Sequence, residues 1–197
     1  MSKKSLRIRL SLSGALMIIA LILTHSFISL AAILAAAIHE LGHVIAARIC
    51  KIPLKEMKLG IFGASISPCN SFLPYKKESF LAAAGPITNG ICVLLGLFSP
   101  LKALQGNDFF ELFIFASAFL GILNLLPIKD FDGGRILYCV ISYKLSPYTA
   151  DTVLKTTSFI LIFSLWILSV YLLLKLSATL SLFIFSVSLF AKLFISQ

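Results

Sequence analysis

The sequence has 197 residues, of which 59% are hydrophobic and only 13% are charged, and its mean hydropathy is +1.01. This composition excludes a water-soluble globular protein and is typical of a single polytopic membrane domain, which we expect to cover residues 1–197. The formal net charge is +9. Its positive residues are dispersed among loops and not gathered on one face, which argues against nucleic acid as a partner.

Six apolar segments each approach the ~20 residues that cross a bilayer as a helix. We interpret the basic and apolar N-terminus as a retained first span, because no convincing small-residue cleavage site follows it. The predicted fold class is therefore an all-α polytopic membrane protein with about six transmembrane helices. The segments are roughly residues 9–25, 27–49, 79–99, 109–127, 150–173 and 177–195.

The distribution of lysine and arginine predicts the orientation of these spans. Basic residues precede the first span and follow the second and fourth, whereas the loops on the opposite side hold only Lys102 and Lys175. The positive-inside rule therefore places both termini in the cytosol.

Residues 52–75, between the second and third spans, have a different pattern. Apolar residues alternate with polar or small ones around Leu59 and Ile61, and Gly63 and Pro68 interrupt the run. This pattern predicts a short membrane-associated strand or β-hairpin, although an ordinary cytosolic loop fits the sequence equally well. An exposed strand edge at this place would suit an extended peptide.

Three ionisable residues, His39, Glu40 and His43, lie inside the second apolar span. Such residues each cost roughly 2.5 kcal/mol or more at the centre of a membrane helix, so they are usually functional. Positions i and i+4 share a helix face, so both imidazoles can bind one metal ion, and Glu40 can reach a water molecule there. The spacing H-E-x-x-H is that of zinc hydrolases, with Glu40 as the catalytic base.

Two histidines leave a catalytic zinc ion one protein ligand short. The best candidate for the third ligand is Asp132, at the end of the fourth span. Pro127 ends that helix, and Gly133 and Gly134 allow the chain to turn, so that a loop could approach the metal. Asp130 is a rival ligand, although alternation would point it away from the side on which Asp132 lies.

These motifs together resemble the site-2 protease family of intramembrane zinc metalloproteases. The resemblance rests on three segments: HELGH at residues 39–43, the small-residue segment AAAGPITN at residues 82–89, and NLLPIKDFDG at residues 124–133. It extends over roughly residues 5–195, and the layout of six spans is most similar to the sporulation branch.

The resemblance implies that His39, His43 and Asp132 bind one zinc ion per chain and that Glu40 activates a water molecule. It also implies that Asn124, Pro127 and Asn89 contact substrate. The implied partners are a membrane-associated protein substrate, with a sporulation sigma-factor precursor as one candidate, the lipid bilayer and inhibitory membrane proteins. The implied location is a bacterial membrane.

The sequence departs from this family in two respects. Asp130 occupies a position where many members have proline, and the CBS domain typical of the sporulation branch is not expected here, nor is a PDZ domain. Two other functions are alternatives: a metal transporter, which needs further ligands along a translocation path, and a proteolytically inactive membrane scaffold, which would not need Glu40.

Overall fold

The computed structural model describes residues 7–10, 26–52, 54–60, 63–68, 73–98, 107–176 and 180–195. Six helices and three strands lie in these ranges. The strands are β1 (Arg7–Leu10), β2 (Leu54–Gly60) and β3 (Gly63–Pro68). The helices are α1 (Phe27–Ile49), α2 (Tyr75–Phe98), α3 (Asp108–Leu125), α4 (Asp132–Lys144), α5 (Pro147–Leu176) and α6 (Leu180–Ile195).

Four of the described helices, α1, α2, α3 and α5, are long and apolar enough to cross a membrane. They coincide with the second to fifth predicted spans. The first predicted span, 9–25, lies outside the described residues except for Arg9 and Leu10, which belong to β1. The sixth, 177–195, contains α6, which has 16 residues.

Local sequence explains where these helices begin and end. The Ser26 hydroxyl accepts a hydrogen bond from the Ile28 amide at 3.3 Å and so caps α1. At the other end, Lys51 adopts a left-handed conformation with φ 54°, and the Ile52 amide bonds the Ala47 carbonyl at 2.8 Å. This closure turns buried Ile52 back against α1 and α2.

The chain divides into two compact units, Met1–Leu125 and Leu126–Gln197. In the first unit, α1, α2 and α3 pack against one another. In the second, α5 packs against both α4 and α6.

The first unit also contains a three-stranded sheet in the order β1-β2-β3. Strand β2 pairs antiparallel with β3, with Met57 opposite Ile66, and parallel with β1, with Ile8 opposite Met57. Strands thus occupy the segment in which alternation predicted a strand or a loop. The participation of β1 was not predicted.

The segment after α3 differs from the sequence prediction. Helix α3 ends at Leu125, before Pro127, as expected for a proline that cannot continue a helix. Gly133 and Gly134 were expected to allow a turn, but they belong to the first turn of helix α4. A Cβ atom on Gly134 would collide with the Ile128 carbonyl oxygen, so this glycine permits close packing within the turn.

Candidate metal centre

Two buried imidazoles face each other on α1. His39 and His43 are only 3% and 5% exposed, and one turn of helix separates them. Their Nε2 atoms lie 3.3 Å apart, and their rings meet edge to face with centroids 5.0 Å apart. The spacing of the H-E-x-x-H motif therefore places two nitrogen ligand atoms side by side.

A backbone carbonyl of α2 fixes the orientation of His43. The His43 Nδ1 atom lies 2.8 Å from the Leu81 carbonyl oxygen. A carbonyl only accepts hydrogen bonds, so Nδ1 carries a proton and donates it. In the neutral ring this leaves a lone pair on Nε2, directed at the other histidine.

Asn89, also on α2, lies beside the other histidine. Its side chain is 0% exposed, and its Nδ2 atom is 3.4 Å from His39 Nδ1. Its Oδ1 atom is buried and has no hydrogen-bond partner within the part of the chain that the structure describes. Asn89 is thus next to a predicted ligand and is enclosed by protein.

Gly85 keeps the space between the two histidines open. A Cβ atom at this position would collide with His43 Nε2 and would lie 2.6 Å from His39 Nε2. One turn along the interface, a Cβ atom on Gly42 would collide with the Thr88 hydroxyl. Helices α1 and α2 therefore approach closely because both positions lack a side chain.

The donor set fits a zinc ion. Zinc binds histidine nitrogen at 2.0–2.1 Å in tetrahedral sites, so two such ligands are expected about 3.3 Å apart, the separation observed here. The third ligand predicted from the sequence is the carboxylate of Asp132. Three protein ligands of this kind are typical of a catalytic zinc site that keeps one position open.

The neighbouring carboxylates differ in exposure. Asp132 begins α4 and is 9% exposed, whereas Asp130 lies in the preceding turn and is exposed to solvent. Glu40 follows His39 on α1, is half-buried, and has its Oε2 atom shielded from solvent.

The residues predicted to contact substrate have other contacts in this structure. Asn124 donates a hydrogen bond from Nδ2 to the Leu120 carbonyl of its own helix at 3.1 Å. The Pro127 carbonyl accepts a hydrogen bond from the Thr157 hydroxyl at 3.3 Å. Asn89 contacts His39 instead of an open surface.

Sequence reasoning missed two features of this centre. The Leu81 carbonyl is a backbone atom, so no side-chain pattern could identify it. Gly85 belongs to the small-residue segment AAAGPITN, which does not by itself indicate that this glycine borders the histidines. The sequence signal for Gly85 is its position directly before Pro86, which removes a backbone hydrogen-bond donor within α2.

Comparisons with known proteins relate the chain to a peptidase family and to one characterised relative. Residues 99–165 match the family model of Peptidase family M50. Stage IV sporulation protein FB of Bacillus subtilis (strain 168) is 30% identical over 163 residues, which are 81% of this chain and 56% of that protein. The chain therefore spans somewhat more than half the length of this relative.

A solved structure has the same fold. The site-2 protease from Methanocaldococcus jannaschii matches 95% of this chain and 89% of its own chain, with a TM-score of 0.67 and 20% sequence identity. Together with the four span-length helices, this likeness identifies the chain as an integral membrane protein with the site-2 protease fold. The resemblance inferred from the motifs is confirmed.

Proposed function

The chain is related to peptidase family M50 and has the site-2 protease fold, and we propose that it is a zinc metalloprotease that cleaves membrane proteins within or beside a membrane segment. In this proposal His39, His43 and Asp132 hold the zinc ion, and Glu40 is the general base. The observation that carries the proposal is the pair of facing Nε2 atoms, 3.3 Å apart in a span-length apolar helix.

The residues of the chain have distinct roles in this reaction. When bound, zinc would act as a Lewis acid that lowers the pKa of water and polarises the scissile carbonyl. The Glu40 carboxylate takes a proton from the attacking water and delivers it to the leaving amine. The buried surroundings of His39 and His43 exclude bulk water and strengthen these electrostatic interactions.

The substrate must unwind before it can be cleaved, because a helical backbone hides its carbonyl groups in internal hydrogen bonds. The sheet supplies a place to hold an unwound segment, since β3 pairs with β2 on one side only among the described strands. We propose that an extended substrate pairs with this edge, and that Asn124 and Pro127 contact it near the site. A sporulation sigma-factor precursor is one such substrate.

The proposed topology has six spans with both termini in the cytosol, and it follows from the distribution of basic residues. The protease would then receive its substrate from the cytosolic side, on which Arg48 and Lys51 follow α1.

The test compares the wild type with Glu40→Gln, co-expressed in a bacterial host with a panel of epitope-tagged single-span membrane proteins. We expect wild-type protein to cleave a member of the panel, and Glu40→Gln to reduce the cleavage rate at least ~100-fold by removing the base. Zinc content measured on both purified proteins should stay near one ion per chain. Glu111→Gln, an exposed glutamate on α3, is the matched control and should cleave normally.

The possible outcomes separate the candidate functions. A zinc-binding protein whose cleavage does not depend on Glu40 would contradict the proposed mechanism. Zinc bound by a protein that cleaves no panel member, but exchanges zinc across vesicles, would favour a transporter. A purified wild-type protein that binds no zinc, even after addition of the metal, would refute the metalloprotease proposal.

A further inference from the structure

We propose that the Asn89 side chain is a positioning residue that selects the tautomer of His39, and that its amide rotates by half a turn when the metal site fills. The proposal rests on the proposed zinc site. It assigns Asn89 to the support of a ligand and not to substrate contact. The observation behind it is the juxtaposition of Asn89 with His39 Nδ1, together with the buried Oδ1 atom of the amide.

His43 provides the reference. Its Nδ1 atom donates to the Leu81 carbonyl, and a carbonyl offers no alternative role. The His43 tautomer is therefore the same with and without metal, and its Nε2 atom always offers a lone pair.

His39 has a partner that can change roles. In the orientation observed, Asn89 Nδ2 faces His39 Nδ1 at 3.4 Å. An amide nitrogen only donates, so His39 Nδ1 accepts and the ring proton is on Nε2. That proton can be donated to His43 Nε2, which lies 3.3 Å away. This arrangement is self-consistent without a metal ion, but it leaves Asn89 Oδ1 buried with no hydrogen-bond partner among the described residues.

Rotation of the amide about its Cβ–Cγ bond exchanges Nδ2 and Oδ1, which have almost the same shape. Oδ1 then accepts a hydrogen bond from a protonated His39 Nδ1, and the buried oxygen gains its missing partner. His39 loses one proton from Nε2 and takes one at Nδ1, so its charge does not change. Both Nε2 lone pairs now face the same space, which is favourable only when a cation lies there.

The surroundings keep the amide in place for this role. Asn89 is 0% exposed, and a Cβ atom on Gly121 of α3 would lie 3.4 Å from the Asn89 Cβ atom. The stem of Asn89 is therefore held between α2 and α3 while its amide contacts α1. A substrate cannot reach the amide without separation of these helices.

The first test uses the wild-type protein in detergent micelles, labelled with ¹⁵N at histidine. Nitrogen chemical shifts distinguish a protonated ring nitrogen from one with a free lone pair. We expect added zinc to move the His39 proton from Nε2 to Nδ1, while His43 keeps its proton on Nδ1. The chain has three histidines, so a His25→Gln variant leaves only the two signals of interest. An unchanged His39 tautomer at full zinc occupancy would overturn the proposal.

The second test measures zinc affinity by competition with a chelator. Asn89→Leu removes the acceptor and should weaken zinc binding about 10–100-fold, the usual effect of losing a residue that orients a metal ligand. Asn89→Asp keeps an acceptor of the same shape, so its zinc affinity should stay within a few-fold of wild type. In Asn89→Asp, His39 should also carry its proton on Nδ1 without zinc, because a carboxylate cannot donate.

A matched control tests whether any change in this core would have the same effect. Ser117 on α3 is also 0% exposed, and its hydroxyl oxygen has no hydrogen-bond partner among the described residues. Ser117→Ala should leave zinc affinity unchanged. Wild-type affinity in Asn89→Leu, or an equal loss in Asn89→Asp and Asn89→Leu, would overturn the positioning role.

Failure of this proposal can be distinguished from failure of the proposed function. If the wild-type protein binds one zinc ion and the His43→Ala variant does not, the proposed metal site is supported. This conclusion does not depend on the zinc affinities of the Asn89 variants. Absence of zinc from the wild type would refute both proposals together.

Discussion

The polar groups buried between α1 and α2 differ from those of α5 and α6 in where their hydrogen bonds go. His43 bonds a carbonyl on another helix, 38 residues away in sequence, and Asn89 reaches His39 across 50 residues. In α5 and α6, by contrast, most hydroxyl groups bond carbonyls of their own helix, three or four residues back. These groups include Thr152, Thr156, Ser164, Ser169, Ser186 and Ser188.

The difference shows which polar residues of a membrane helix require another component. A hydroxyl that bonds its own helix needs neither a neighbouring helix nor a ligand, so it can lie almost anywhere in a span. The facing Nε2 atoms of His39 and His43 differ, because the orientation of both rings depends on Leu81 and Asn89 of another helix. A buried polar side chain that hydrogen-bonds another helix is therefore a better indicator of a functional site than one that bonds its own helix.

The largest effect is expected from a side chain placed between the two histidines. Gly85→Ala adds a methyl group that would collide with His43 Nε2, so we expect zinc binding to be lost altogether. The measurement is the zinc content of purified protein, together with its elution as a monodisperse species in detergent.

Gly90→Ala is the matched control for that experiment. Gly90 lies on the same helix, and nothing among the described residues lies within 4 Å of a Cβ atom built there. The control variant should bind zinc normally and be no less stable, since alanine favours the helix by up to ~1 kcal/mol over glycine. Equal zinc loss in the two variants would indicate damage to α2 and not a blocked metal site.

The next largest effect tests whether the histidine pair can bind zinc without a third protein ligand. Asp132→Ala removes a proposed ligand, so zinc affinity should fall by more than the ~100-fold upper range for supporting residues. Asp130→Ala is the matched control and should leave the affinity unchanged, because Asp130 is exposed to solvent. The ligand assignment would be wrong if Asp130→Ala lost zinc and Asp132→Ala kept it. Affinity is measured by chelator competition.

The sequence predicted the proximity of His39 and His43 better than it predicted the elements around them. His39 and His43 could be placed together because the period of a helix fixes the relation between positions i and i+4. Four spans could be placed because ~20 apolar residues in succession have few other uses. Both inferences depend only on local sequence.

The remaining features depend on contacts that are distant in sequence. Strand β1 has four residues, and its backbone pairs with β2 so that Arg7 lies opposite Glu56. The sequence of neither strand reveals this pairing alone. Helix α4 begins with Asp132, Gly133 and Gly134, of which the glycines are poor helix formers, so the segment was interpreted as a turn. Its glycines are buried in the structure, and packing overrides their weak preference.

We expect the smallest change in stability from the serine hydroxyl groups of α5 and α6. The hydroxyl groups of Ser169 on α5 and Ser186 on α6 lie 3.0 Å apart, and carbonyls of their own helices lie 2.7 and 2.8 Å from them. Each hydroxyl has a single proton, so one of the two shares its proton between its own carbonyl and the other hydroxyl. Ser169→Ala removes the bond between helices, but Ser186 retains its local partner. We expect destabilisation of only about 0.6 kcal/mol, the typical value for one hydrogen bond between membrane helices, with no change in zinc affinity.

The free energy of unfolding can be measured in detergent mixtures from tryptophan fluorescence. The single tryptophan of the chain, Trp166, lies one turn from Ser169 and reports on this region. A double-mutant cycle with Ser186→Ala isolates the coupling between the two hydroxyl groups. A coupling well above ~1.7 kcal/mol, the largest typical of such pairs, would contradict the view that α5 and α6 satisfy their polar groups locally. The contrast with the histidine pair would then be one of degree, because both regions would depend on partners from another helix.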